Sequence, residues 1–165
     1  MSLENEVNEV GTWVPVPYGG DSAEWARWAE SMPVSRQLDI ECLDIAEGRA
    51  QLRLTRSDWV LNANGAVHGG LVTAWADQCF GIVAVTALAE GLLPATATLT
   101  AEFLRAAHPP LLFDCAVDRV GRTLVFVSVE VTGAKGRTVA RFRGTMAVDG
   151  SSRHLPADAA AKGTS

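Results

Sequence analysis

The sequence predicts an α+β domain in which a mostly antiparallel sheet wraps around one long central helix. Three observations lead there. Residues 69–88 (GGLVTAWADQCFGIVAVTAL) are apolar on nearly every side at the helical period, the mark of a helix buried within a protein. Segments on both sides of it alternate apolar and polar with period two. Short Gly-bearing turns separate the late strands, as antiparallel hairpins require. The element order is helix, two strands, long helix, four strands. One small sheet covers only part of so apolar a helix, so a second copy of the chain is expected over the rest.

Residues 1–20 carry Pro15, Pro17 and Gly19-Gly20 and are expected to form a flexible arm. Asp21 or Ser22 caps a short helix through Met32, with Trp25, Trp28 and Ala29 at helical spacing, and Pro33 ends it. Residues 38–45 predict a strand with Leu38, Ile40 and Cys42 on one face. Residues 49–55 predict another, with Ala50, Leu52 and Leu54 facing one way, and Glu47-Gly48 turns between the two. Residues 57–68 deliver the chain to the long helix. After Gly91 and Pro94 comes the sharpest alternation: Ala97, Leu99, Ala101 and Phe103 against Thr96, Thr98, Thr100 and Glu102. Strands follow at about 111–120, 123–132 and 138–148, with turns at Gly121-Arg122 and at residues 133–136. Residues 21–148 thus form a single domain, and 149–165 are expected to be a disordered tail.

Composition excludes several classes. With 165 residues, 48% hydrophobic and 20% charged, the chain is long and apolar enough to bury a core. A net charge of -5 gives no support to a nucleic-acid or membrane-surface partner. Asp77 and Gln78 in the middle of the apolar stretch argue against a membrane span. Three widely spaced cysteines (Cys42, Cys79, Cys115) without a CxxC pair, and an acidic start without an apolar core, point to a reduced, cytoplasmic protein. No phosphate-binding, dinucleotide, nucleophile-elbow or metal-spacing motif occurs, so no metal or cofactor is expected.

The chemistry concentrates between Asn62 and Asp77. Gly69 and Gly70 open the long helix, where unpaired N–H groups and the positive dipole end can polarise a carbonyl; tight packing is the other reason for glycine there. Asp77 lies among apolar neighbours, and a buried carboxylate needs a reason: a structural hydrogen bond, or work as a base or nucleophile. Thr73, one turn back, is a candidate partner for it. Asn62 could orient a carbonyl or simply form a turn. His68 could exchange protons or cap the helix. Thr96 could fix Asp77 or a water, or face solvent. The five tryptophans (Trp13, Trp25, Trp28, Trp59, Trp75) read as packing residues. Among the late arginines, one or two could meet a phosphate. Eight residues separate Gly69 from Asp77, about 12 Å of rise and roughly 80° of turn. One small acyl carbonyl cannot touch both within one chain. If both serve one reaction centre, two antiparallel helices from two chains must supply them.

The pattern N-x-x-G-x-x-H-G-G from Asn62, Asp77 seven residues after the second glycine, a Thr-rich strand ending in FLRAA, then GR and a Val-rich hairpin resembles the hotdog-fold acyl-CoA thioesterases. The nearest branch is the PaaI type, related to 4-hydroxybenzoyl-CoA thioesterases, and the likeness runs over about residues 25–148. It implies a hotdog fold and hydrolysis of an acyl-CoA thioester to free acid and CoA. It implies Asp77 as nucleophile or general base, and the Gly69 N–H as the group polarising the thioester carbonyl. Asn62 and His68 would be neighbouring site residues, and Thr96 a hydroxyl beside the carboxylate. Arg105 and Arg122 are candidates for the CoA phosphates. The resemblance also implies a homodimer at least, commonly a homotetramer. Gly81 stands where some relatives carry a Thr. The competing readings are a non-catalytic acyl-CoA-binding protein on the same fold and a hydratase or dehydratase; the last usually pairs a His with its Asp on the helix, and no His follows Asp77.

Overall fold

The computed structural model describes residues 14–55 and 61–148. The segments 1–13 and 149–165, most of the expected arm and all of the expected tail, lie outside the described residues, as do Trp13 and Trp59. Within the remainder of the arm, Val16 is buried and the Tyr18 hydroxyl accepts a hydrogen bond from the Gly91 N–H at 3.2 Å.

Helix α1 (Ser22–Ser31) starts where its capping residues place it. The Asp21 carboxylate accepts from the Glu24 N–H at 2.9 Å, and the Glu24 carboxylate accepts from the Asp21 N–H at 3.0 Å. Pro33 ends this helix and also opens a short one, α2 (Pro33–Gln37), which the sequence reading lacked. A proline's fixed φ and missing N–H suit a first helical position. The first strand therefore begins later than the alternation predicts. Leu38 caps α2 and Asp39 has φ 50°, so β1 runs only over Glu41–Ala46.

The chain then forms β2 (Arg49–Leu54), α3 (Gly69–Thr86), β3 (Ala95–Phe103), β4 (Leu111–Val120), β5 (Leu124–Thr132) and β6 (Thr138–Ala147). The six strands make one antiparallel sheet in the order β1-β2-β4-β5-β6-β3. Gly48, at φ 69°, closes the β1–β2 hairpin as the sequence predicts. The sheet curls around α3, whose Trp75, Ala76, Phe80 and Val83 are buried against Leu52, Phe113, Val127 and Phe142 from the strands. This is the α+β arrangement that the periodicities predict, an antiparallel sheet around a central helix, and the hotdog fold that the resemblance implies.

Two close fits set the helix on the sheet. The Trp75 indole N–H donates to the Leu38 carbonyl at 2.6 Å. On β6, a side chain at Gly144 would stand 2.5 Å from the Phe80 ring, so only glycine lets that ring lie on the strand. One stripe of α3 escapes the sheet: Gly70, Ala74 and Asp77 are exposed, at the i, i+4, i+7 spacing of one helix face. Beside it runs β3, an edge strand with one side unpaired among the described residues.

β3 also holds a departure from its sequence pattern. Thr96 pairs with Met146 and Thr98 with Thr145, so the register slips by one residue at Ala97. Strict alternation puts Thr96 on the outer face with Thr98 and Thr100. The bulge turns it to the helix face instead.

Candidate active site

The loop before α3 is held by its own backbone and by a neighbouring strand end. The Asn62 side-chain oxygen accepts from the N–H groups of Asn64 (2.9 Å) and Ala66 (3.2 Å), and the Asn62 N–H donates to the Ala66 carbonyl at 2.7 Å. Of the two roles open to Asn62, its oxygen is thereby committed to turn formation. The Val67 N–H donates to the Ala107 carbonyl at 2.8 Å, and His108 Nδ1 lies 3.1 Å from the Gly65 carbonyl.

His68 is the cap of α3. Its Nδ1 accepts from the Gly70 N–H at 3.1 Å, and its carbonyl takes the N–H groups of Leu71 and Val72. An accepting Nδ1 leaves the neutral ring's proton on Nε2. The Gly69 N–H, by contrast, meets no acceptor among the described residues, at the positive end of an 18-residue helix. The Phe103 ring packs on the same glycine; a side chain there would come within 3.3 Å of it.

Asp77 lies two turns on. The sequence reading expects it buried; in the single chain it is exposed. The reason is size: Ala74 and Gly81 are apolar but too small to cover it. Its Oδ1 accepts from the Thr96 hydroxyl at 2.8 Å, a contact that the Ala97 bulge makes possible. Thr73 does not bond Asp77; its hydroxyl donates back to the Gly69 carbonyl at 2.9 Å.

The two candidate phosphate-binding arginines part company. Arg105 follows β3, and its guanidinium donates to the Thr138 carbonyl at 2.7 Å. It borders a cleft of about 510 Å³ together with His108, Lys135 and Arg137. Arg122 lies in the β4–β5 turn, at the opposite end of β5, roughly 25 Å of strand away. One phosphate cannot meet both from one chain. Lys135 and His108 were not singled out from the sequence; the basic run Lys135-Gly-Arg137 was the available signal.

Cys42 and Cys115 are poor nucleophiles. Burial, then the Glu30 and Asp44 carboxylates, push the Cys42 thiol up to about 12, and burial followed by contact with Cys79 raises Cys115. Among the described residues no three metal-ligating side chains come together, and no helix is long and apolar enough to cross a membrane.

Comparison with known proteins gives consistent matches. A family model described as the thioesterase superfamily matches residues 64–140. A Deinococcus radiodurans protein provisionally named an esterase is 32% identical over 122 residues, covering 72% of this chain and 81% of the relative. The acyl-coenzyme A thioesterase PaaI of Escherichia coli is 28% identical over 117 residues, covering 70% of this chain and 81% of its own. The solved Escherichia coli PaaI superposes with a TM-score of 0.67 at 26% identity, over 73% of this chain and 87% of that one. The Streptococcus mutans protein smu.793, solved with acetyl-CoA, gives a TM-score of 0.63 at 27% identity, over 70% of this chain and 91% of that one.

Proposed function

The chain belongs to the thioesterase superfamily, and from that premise we propose that it hydrolyses acyl-CoA thioesters to free acid and CoA, with Asp77 as the catalytic carboxylate. The observation that carries this reading is Asp77 itself: a carboxylate on the one face of α3 that the sheet leaves open, oriented by Thr96 at 2.8 Å.

The working unit is a dimer. Gly69 and Asp77 are separated by about 12 Å of helix rise. Two α3 helices packed antiparallel along the Gly70–Ala74–Asp77 stripe bring the Gly69 N–H of one chain opposite Asp77 of the other. Small residues on that stripe allow the close approach. The unpaired edge of β3 beside it supports the same arrangement, since pairing two such edges removes both.

In this site the Gly69 N–H donates to the thioester carbonyl oxygen and strengthens its bond as that oxygen becomes an oxyanion. Asp77 either takes a proton from a water that attacks the carbonyl carbon, or attacks that carbon itself and forms an acyl anhydride that water then cleaves. In both routes the C–S bond breaks as the tetrahedral intermediate collapses, and the CoA thiolate leaves and takes up a proton. Oxygen-18 labelling in a single turnover separates the two. Arg105, with Lys135 and Arg137, supplies positive charge for the CoA phosphates. Arg122 stands apart from this cleft. Relatives solved with acetyl-CoA and with coenzyme A support the choice of substrate.

The test is thiol release from a panel of acyl-CoAs. Wild type is expected to release thiol, and Asp77→Asn to lower kcat about 10²–10⁴-fold. Equal release by the two proteins overturns the role of Asp77. Tight binding of the panel without any release points instead to a non-catalytic acyl-CoA-binding protein.

A further inference from the structure

An apolar recess of about 160 Å³ lies beside α3, between the chain ahead of α1, α1 itself and the segment that leads into β3. Trp28, Met32, Ile82, Val85 and Leu93 form its walls, and Gly81 opens onto it. Gly81 is one helical turn beyond Asp77, about 6 Å along the axis and roughly 40° around it. One wall of the recess, Gly81, thus stands a single helical turn from the proposed catalytic carboxylate.

Among the described residues, two features keep it open and apolar. A side-chain carbon added at Gly81 would meet no atom within 4 Å, so the space exists because this residue has no side chain. The polar group in the wall, the Gln78 amide, has its N–H side engaged: it donates to the Ser35 hydroxyl at 3.1 Å and contacts the Met32 sulfur at 3.5 Å. Ser35 is fully buried within α2, so these bonds also fix Met32 against the recess. No lining residue is charged.

We propose that this recess receives the acyl tail of the substrate and that Gly81 is the residue that sets how large a tail is accepted. The inference rests on the thioesterase reading and gives it a substrate class. A dry apolar cavity of about 150 Å³ holds a six-carbon guest the size of benzene. The recess thus suits neutral acyl groups of about six carbons. Longer chains overrun it, and an acyl group ending in a carboxylate would bury a charge there without a partner. The basic cleft at Arg105 lies on the Gly69 side of the loop. In the antiparallel pair, CoA leaves the scissile bond along one chain while the acyl tail enters the recess of the other.

The test is an acyl-length ladder from acetyl-CoA to dodecanoyl-CoA, run on wild type, Gly81→Leu and Met32→Ala. Each buried methylene is worth roughly fourfold. Wild type should favour hexanoyl- over acetyl-CoA in kcat/KM by on the order of 100-fold and decline beyond about eight carbons. Gly81→Leu should cut the hexanoyl-to-acetyl ratio at least tenfold, and Met32→Ala should move the optimum to longer chains. Helix formation favours leucine over glycine, so Gly81→Leu is expected to fold, which its circular dichroism and Tm check. Calorimetric binding of a non-hydrolysable hexanoyl-CoA thioether, against CoA alone, is measured on the same proteins. Turnover with identical ladders in wild type and Gly81→Leu overturns the recess and leaves the hydrolase intact. No turnover, but a binding advantage of the hexanoyl group that Gly81→Leu removes, overturns the hydrolase and upholds the recess.

Discussion

The two sides of α3 are built by opposite rules. Towards the sheet it presents Trp75, Phe80 and Val83, buried and fitted to the strands so closely that Gly144 is needed under one ring. Away from the sheet it presents Gly70, Ala74, Asp77 and Gly81, where side chains are small or absent and the one sizeable group is a carboxylate. The first side fixes the fold by filling volume. The second leaves room, and room is what a substrate and a second helix require. Sequence hydropathy treats the two sides alike, because glycine and alanine count as apolar while covering nothing.

The contrast predicts its own breakage. Phe80→Ala should cost about 3–5 kcal/mol through the cavity it leaves, lowering Tm by roughly 10 °C or more in thermal unfolding. Asp77→Asn, three residues away in sequence but on the exposed stripe, should move Tm by no more than about 2 °C while it removes activity. If the two variants destabilise the protein equally, the division of labour fails. A finer cut comes from Thr96→Val, which deletes the hydroxyl that holds Asp77 and leaves the bulk. A roughly tenfold fall in kcat is expected, as for loss of one hydrogen bond to a charged group, with Thr96→Ser recovering most of it. An unchanged rate would show that Asp77 needs no such hold.

The smallest effect belongs to the outer face of the sheet. The Arg141 guanidinium and Thr138 hold the Glu130 carboxyl below its ordinary value of 4.5, and Arg53 and Thr55 do the same for Glu41. Both pairs are about half exposed. A depressed carboxylate stabilises the fold above about pH 4.5, and that contribution disappears as the pH falls through the lowered value. The Tm difference between wild type and Glu130→Gln should thus be slight at neutral pH and vanish once the pH has fallen through the lowered value.

Much of this was legible in the residues. Period-two alternation located the first three strands, β-branched and aromatic content between Gly-bearing turns located the last three, the near-uniform apolar run located α3, and Asp21 located the start of α1. What escaped depends on information that periodicity does not carry. Pro33 is both a stop and a start, and only the chain beyond it decides that α2 follows. The role of Asn62 as a turn former and of His68 as a helix cap stood among the readings open to them, but hydrogen-bond geometry had to choose. Asp77 was found by its residue type and misjudged in its burial, since whether it is covered depends on what lies outside the chain. The basic cleft at Arg105 joins Arg105 and His108 to Lys135 and Arg137, far apart in sequence, and no local pattern links them.

The extra residue at Ala97 acts as a frameshift written into a strand. Downstream of it the outer side of β3 is Thr98, Thr100 and Glu102; upstream, the same parity points inward and delivers a hydroxyl to the carboxylate. The polar surface of that strand can therefore drift without disturbing the alignment of Asp77, because the two are read in different phases.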